Sequence, residues 1–261
     1  MKKPEIVVCV CSLGLYKKDN IISLFNIIPK LSGGILITEC SLLPMSRNYT
    51  IRHALRIHPD LTHILFVDDD MCNFDTWHIE KLVEQDKDII SAFMTMRNPP
   101  YAVVSAFEDN TKIIEYLNNK ETVGVHHTGM AFTLIKREVI DALAEQTSEG
   151  PIWFTMDRPP RNSFNDEIEE FVNTNLNRPN KNIENLVRDA IAFGQTSNLG
   201  SDIIGEDIQF CHKARMLDFK VYVNCEVIIG HLGNVAHDIN TQIEYKQIQS
   251  IKKGEKVLVD V

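Results

Sequence analysis

The chain reads as an α/β protein, a mixed, mostly parallel central sheet flanked by helices, with its chemistry at one sheet edge. Two observations carry that reading. The first is Ile64-Leu65-Phe66-Val67-Asp68-Asp69-Asp70, four apolar residues running straight into three carboxylates. A short apolar run without polar alternation is the pattern of a strand covered on both faces, the usual condition inside parallel sheets. The acids then lie at its C-terminal edge, where open α/β sheets bind ligands. The second observation is a regular alternation of strand and helix patterns over residues 1–98 that gives way to a different rhythm over 99–261.

The first half is read element by element. Ile6 to Cys11 is an apolar strand. Asp19 or Asn20 is placed to cap a helix whose Ile21, Leu24, Phe25 and Ile28 fall at i, i+3, i+4 and i+7, which predicts a buried stripe, and Pro29 with Gly33-Gly34 ends it. Ile35 to Thr38 is the next strand. Ser46 is expected as the N-cap of a second helix with Ile51, Ala54 and Leu55 facing inward, and Pro59 stops the chain just before the aspartate strand. A right-handed β-α-β-α-β of this length builds half of a doubly wound, Rossmann-like sheet, and such halves bind mononucleotides at their strand C-termini. There is no GxGxxG loop, so phosphate must be held otherwise, and a metal on the aspartates is the available means. Side chains of an extended segment alternate, so Asp68 and Asp70 are expected to point together while Asp69 points away. Two hard oxygen ligands suit Mg²⁺ or Mn²⁺. The plain alternative is a solvated acidic loop.

In the second half, Asp75 caps a helix running to about Glu84, and Ile89 to Phe93 returns as a strand. Tyr101 to Phe107 and Lys112 to Leu117 read as two strands joined by Glu108-Asp109-Asn110-Thr111, a hairpin that brings antiparallel pairing. Thr128 to Ile135 is a buried strand entered through a glycine, with a helix from Lys136 to Ala144 beyond it. Residues 155–200 are rich in Asn, Asp, Glu and Pro, with room for short helices at Ile168 to Val172 and Ile183 to Phe193. So long a polar excursion within one domain reads as a mobile functional loop or lid. Gly205-Glu206-Asp207 then opens a helix with Phe210, Cys211, Ala214 and Leu217 as its stripe, Lys220 to Val223 is a strand, and Val227-Ile228-Ile229 leads into Gly230-His231. From Thr241 an amphipathic segment, with Ile243 and Ile248 among charges, reads as a packed terminal helix.

Composition bounds the possibilities. At 261 residues, 44% of them hydrophobic, the chain suits one domain with an insert at 155–200. The formal net charge of −9 gives no overall attraction to nucleic acid or anionic membrane, although a local basic groove is compatible with it. Six cysteines without CxxC spacing imply a reduced, cytoplasmic protein, and the short apolar run at the N-terminus predicts neither a signal segment nor a membrane span.

Taken together, the β-α-β-α-β half ending in Val67-Asp68-Asp69-Asp70, the later Gly205-Glu206-Asp207 and the final His231 resemble a GT-A-fold glycosyltransferase of the family 2 type, over most of the chain. In that family an Asp-x-Asp pair after a buried strand holds Mn²⁺ or Mg²⁺ on the diphosphate of a nucleotide sugar. Asp68 and Asp70 match it, with Asp69 between them. The resemblance places Arg47 and Asn48 near the nucleotide, Glu206 and Asp207 at the acceptor with Asp207 as base, and His231 as a third metal ligand. Where the family carries a Pro and an Asn after its first strand, this chain has Ser12-Leu13-Gly14, so Ser12 is the residue offered to the nucleotide there. The Gln-x-x-Arg-Trp signature of processive synthases is absent. The resemblance therefore implies a single-addition, inverting transferase that uses a nucleotide-sugar donor, a UDP-sugar first among them. Small stand-alone members of this kind look like those of phages and large viruses. The acceptors implied are a glycan, a small molecule or a modified nucleic acid.

The residue types suit that chemistry. Negative charge grows on the departing diphosphate and a divalent ion neutralises it, while a carboxylate must take the proton of the attacking hydroxyl. Other readings of the same residues are a nucleotidyltransferase, a metal-dependent hydrolase on Asp68, Asp70, His231 and one of His126 or His127, and a non-catalytic nucleotide- or sugar-binding module. Adjacent strand residues such as His126 and His127 cannot both face one site. Glu206 and Asp207 alone would pass for helix-start acids, and Trp153 and Phe154 read as closing the core edge.

Overall fold

The computed structural model describes residues 4–12, 14, 16–96, 102–145, 147–148, 150–155, 205–232 and 236–237. The expected insert from 156 onward and the terminal helix from Thr241 lie outside the described residues. Strand β1 (Ile6–Ser12) is buried along its whole length and sits between β2 (Ile35–Glu39) and β3 (His63–Asp68), parallel to both. Strand alternation splits its side chains between two cores. Val7, Cys9 and Cys11 join the cluster under helix α2 (Leu43–Ile57), and Ile6, Val8 and Val10 join the one under α1 (Lys18–Ile27). In β3 the run Ile64 to Val67 is fully buried in the same alternating way, as the sequence predicts for a covered strand.

The sheet continues through β5 (Ile89–Phe93), β6 (Ala106–Phe107), β7 (Thr122–His127), β8 (Phe132–Lys136) and β9 (Val221–Ile228) in the order β2-β1-β3-β8-β5-β9-β7-β6. The pairings make β7 and β8 run against the other six, so the sheet is mixed but mostly parallel. Helices α2, α5 (Arg137–Leu143) and α6 (Glu206–Met216) cover one face, and α1 and α3 (Thr76–Glu84) cover the other. Helix α3 is the clearest local match to expectation, with Asp75 and His78 forming a reciprocal capping box. All six cysteines are free thiols. No described helix is long and apolar enough to cross a membrane.

Three helices differ from the sequence reading, and the strand expected over Thr128 to Ile135 begins only at Phe132. Helix α1 starts at Lys18 and turns Asn20, Ser23, Leu24 and Ile27 inward, leaving Phe25 67% exposed. The apolar stripe loses because Asn20 is neither a cap nor a surface residue; its side-chain amide donates to Asp68 O at 3.1 Å and Met71 O at 2.8 Å. Helix α2 begins one turn earlier than expected, with Pro44 in its first turn where no N–H partner is needed. Ser46 is therefore inside the helix, donating to Thr38 O. The second arm of the expected hairpin is helix α4 (Ile113–Asn118), since the Asp109 carboxylate accepts from Thr111 N at 3.0 Å and starts a helical turn. The antiparallel pairing exists, but between β6 and β7.

A second, three-stranded sheet fixes what the first one presents. Strand β4 (Met71–Cys72) follows directly on the acidic turn and pairs with β10 (Gly230–Leu232), which also pairs with β11 (Ala236–His237). Its register sets His231 opposite Met71, and Leu232 N donates to Asp70 O at 2.7 Å. Gly230 is needed there because a side chain would meet Cys72 Sγ at 2.9 Å.

The approach of the chain before β2 to β1 is equally tight. A Cβ at Gly33 would lie 2.5 Å from Ile6 O, a backbone atom that cannot step aside. Gly33→Ala is expected to destabilise the protein by about 1–3 kcal/mol, the usual range for overpacking, read as a lowered urea midpoint at unchanged m-value.

Candidate active site

At the C-terminal edge of β1 and β3 the sheet opens into a cavity of about 640 Å³. Its described lining includes Ser12, Arg47, Asp68, Asp69, Asp70, Glu206, Asp207 and His231, so eight of the nine residues singled out in the sequence meet at one place. The three aspartates do not alternate as expected. Strand β3 ends at Asp68, and Asp69 and Asp70 form the turn into β4, so all three face the cavity. Asp69, expected to point away, accepts from Ser12 Oγ at 2.7 Å, and Ser12 Oγ in turn accepts from Gly14 N at 2.9 Å. Asn20 on α1 pins both ends of this turn through its backbone carbonyls. The sequence offers no signal for that role, because a polar residue on a helix start reads as a cap.

Arg47 lies on α2 with its side chain only 2% exposed, its guanidinium 5.5 Å from the centre of the Phe66 ring and 5.6 Å from that of Phe154. It reaches Asp68 at 3.4 Å and Glu206 at 3.6 Å. Burial works against its charge, yet Asp68, Cys11, Glu206 and Asp207 hold its pKa above the ordinary value. Its partners feel the opposite balance. Burial drives Asp68 up to about 6, against the pull of Arg47 and helped by Asp70, Glu206 and Asp69. Glu206 is likewise raised, by burial first, with Arg47 opposing and Asp207 adding to it. Five lining carboxylates face one arginine, so the cavity is short of positive charge.

Asn48 is the ninth residue and does not line the cavity. Its Oδ1 accepts from Trp153 N at 2.8 Å and Phe154 N at 2.9 Å, and its Nδ2 donates to Phe154 O at 2.7 Å. Every bond goes to backbone, so Asn48 is a buried clasp rather than the nucleotide contact that the resemblance implied. What it clasps packs against elements of the site, since Phe154 stacks on Phe210 of α6 at 4.5 Å and meets Phe66 edge-on at 5.6 Å. Trp153 and Phe154 are core residues, as expected.

His231 has a decisive geometry. Its Nδ1 lies 2.9 Å from Thr95 O, which can only accept, so Nδ1 carries the hydrogen. Its Nε2 then faces Asp70 Oδ2 at 3.1 Å, and an unprotonated nitrogen opposite a carboxylate oxygen leaves two acceptors in contact. A positive centre is required between them, either a second proton or a metal ion. Metal-binding histidines commonly donate one ring N–H to a backbone carbonyl, which fixes the tautomer and aims the other nitrogen at the ion. The expected trio of ligands is not assembled, however. Among the described residues no three His, Cys, Asp or Glu side chains are gathered closely enough to hold a metal, and Asp68 is turned to Arg47. Asp70 and His231 are the two lining groups whose donor atoms lie close enough to share a divalent ion.

Glu206 and Asp207 open α6, whose N-cap is Gly205. Asp207 Oδ1 accepts from Ile208 N at 2.8 Å, and its Oδ2 is turned towards Gly129. His126 lines a separate cleft beside Arg215 and Lys220, whereas His127 lies near enough to Asp207 for that carboxylate to oppose the lowering of its pKa by burial.

The sequence matches no known protein family and no curated protein. Among solved structures it is similar to the crystal structure of A197 from STIV, with a TM-score of 0.51 at 15% identity over 88% of this chain and 86% of that one. The likeness shows the fold.

Two outcomes are expected. Asn48→Leu leaves three buried backbone groups without partners and lowers stability by roughly 2–5 kcal/mol, measured by urea unfolding. The folded-state pKa of Asp68 is raised, so the stability it confers is fully present below the unfolded value of about 4 and is lost as pH rises through about 6. With a chelator present, Asp68→Asn is expected to flatten the fall in melting temperature across that window; an unchanged slope would assign it to another group.

Proposed function

We propose that this chain is a metal-dependent glycosyltransferase that moves one sugar from a nucleotide-diphosphate donor to an acceptor hydroxyl, with inversion. The observation that carries the reading is convergence. Residues from β1, α2, the acidic turn, the start of α6 and β10 line one cavity at the edge where α/β sheets bind nucleotides. A hydrolase or a simple binding module gives no account of the acids on α6 facing the acidic turn across the same space.

Each residue has a part in the reading. Ser12 and Asp69 form a hydrogen-bonded rim at the end of β1 for the polar groups of the donor. Asp70 and His231 would hold Mn²⁺ or Mg²⁺, with Asp68 beside them, and the bound ion would neutralise the charge on the departing diphosphate. Arg47 favours the ionised forms of Asp68 and Glu206 away from bulk water. Asp207, with one carboxylate oxygen held by Ile208 N, uses the other to take the proton of the attacking hydroxyl. One base and one displacement suffice for inversion.

The test is a screen of nucleotide sugars, UDP-sugars first, for metal-dependent release of the nucleoside diphosphate. Mn²⁺ with UDP, GDP or CDP is expected to raise the melting temperature, and failure of all three would count against the reading. Asp70→Ala should abolish the metal-linked shift, while Asp207→Ala should keep it and lose transfer by about 10²–10⁴-fold, the span of a positioned general base. The reverse pattern would overturn the roles of these two aspartates.

A further inference from the structure

The cavity has a second wall of a different kind. Beyond β5 the chain folds back on itself, with Val104 N donating to Met94 O at 3.2 Å, Met96 N donating to Ala102 O at 2.8 Å and Thr95 bridged to Val103. This ribbon presents Met96, Val103 and Val104 to the cavity, while Met94 and Met130 at its edge are 1% exposed and belong to the packed core. None of these side chains is charged or offers a conventional hydrogen bond. The wall runs up to the acid on α6 because residue 129 is glycine. A Cβ there would lie 2.5 Å from Val104 Cγ1 and 3.6 Å from Asp207 Oδ2. Any larger residue would push the valine away and close the space beside the carboxylate. The apolar surface and Asp207 therefore meet at one point.

Charge says what this wall does not take. The lining carries five carboxylates, and Arg47 is its sole lysine or arginine among the described residues, buried and engaged by two of those acids. Nucleic acid needs Lys or Arg along its phosphates, and the whole chain carries a net charge of −9. Met96, flexible and exposed, gives this wall a deformable apolar edge that fits flat or irregular hydrocarbon.

We propose, on the basis of the transferase reading above, that the acceptor is an uncharged compound whose reactive hydroxyl stands beside an aryl group, as in an aryl glycoside, and not a polynucleotide. The hydroxyl reaches Asp207 while the apolar part lies on Met96, Val103 and Val104. The bond formed joins the acceptor oxygen to the donor sugar, the bond broken is that from the sugar to the diphosphate, and the hydroxyl proton goes to Asp207.

The experiment compares phenyl β-glucoside with methyl β-glucoside, which share every sugar hydroxyl, by calorimetric titration of the full chain, with a single-stranded oligonucleotide as competitor. The phenyl compound is expected to bind about tenfold more tightly, the order expected from burying one ring. Met96→Lys, at a position 54% exposed that tolerates charge, is expected to erase most of that preference. Equal binding of the two glucosides, a preference that survives Met96→Lys, or displacement by the oligonucleotide would each overturn the proposal. Failure of the transferase reading shows separately, as absence of nucleoside diphosphate release from every donor, whichever glucoside binds.

Discussion

The buried ion cluster around Arg47 is the constraint on which the rest of this structure depends. A guanidinium enclosed by Phe66 and Phe154 would be costly to bury alone, and Asp68 and Glu206 would be costly to bury without it. Each makes the other tolerable. Because Asp68 ends β3 and Glu206 begins α6, the cluster also ties the first half of the sheet to the late helix. The aromatic packing belongs to the same arrangement. Phe154 touches the guanidinium, stacks on Phe210 of α6, and is itself held by Asn48, the residue next to Arg47 on α2.

This balance leaves the site under electrostatic tension. Asp68 is pushed towards its neutral form, Glu206 follows it upward, and Asp70 faces His231 across a gap that needs a positive centre. An added divalent cation would relieve several of these repulsions together. The fold thus sets up a charge pattern that a cationic ligand would complete.

Much of the fold is legible in the sequence because burial on both faces of a parallel strand leaves an unbroken apolar run, as in β1 and β3, and because α3 carries an explicit cap. The differences have separate causes. Apolar spacing points α1 inward along Phe25 and Ile28, but Asn20 outweighs them by satisfying two carbonyls of the acidic turn, a tertiary demand invisible in a helical stripe. Lys112 to Leu117 has a composition that suits a strand, and one capping carboxylate, Asp109, diverts it into a helix. At the site, residue types and spacing are enough to collect Asp68, Asp70, Glu206, Asp207 and His231. They are not enough to show that Asp69 turns inward, that Asn48 serves the core, or that Arg47 is buried, since each of these depends on what packs against the residue.

The pairing of β4 with β10 has a consequence for how the site comes into being. His231 and Asp70 are 161 residues apart in sequence. During synthesis the acidic turn and Arg47 emerge and can dock long before β10 exists, and that strand closes over them only afterwards. Contacts of such large sequence separation form late in folding. The nascent chain therefore carries, through much of its synthesis, a cluster of aspartates that lacks its histidine and its edge strand. The contact between His231 and Asp70 arrives with β10 and not with the sheet that precedes it.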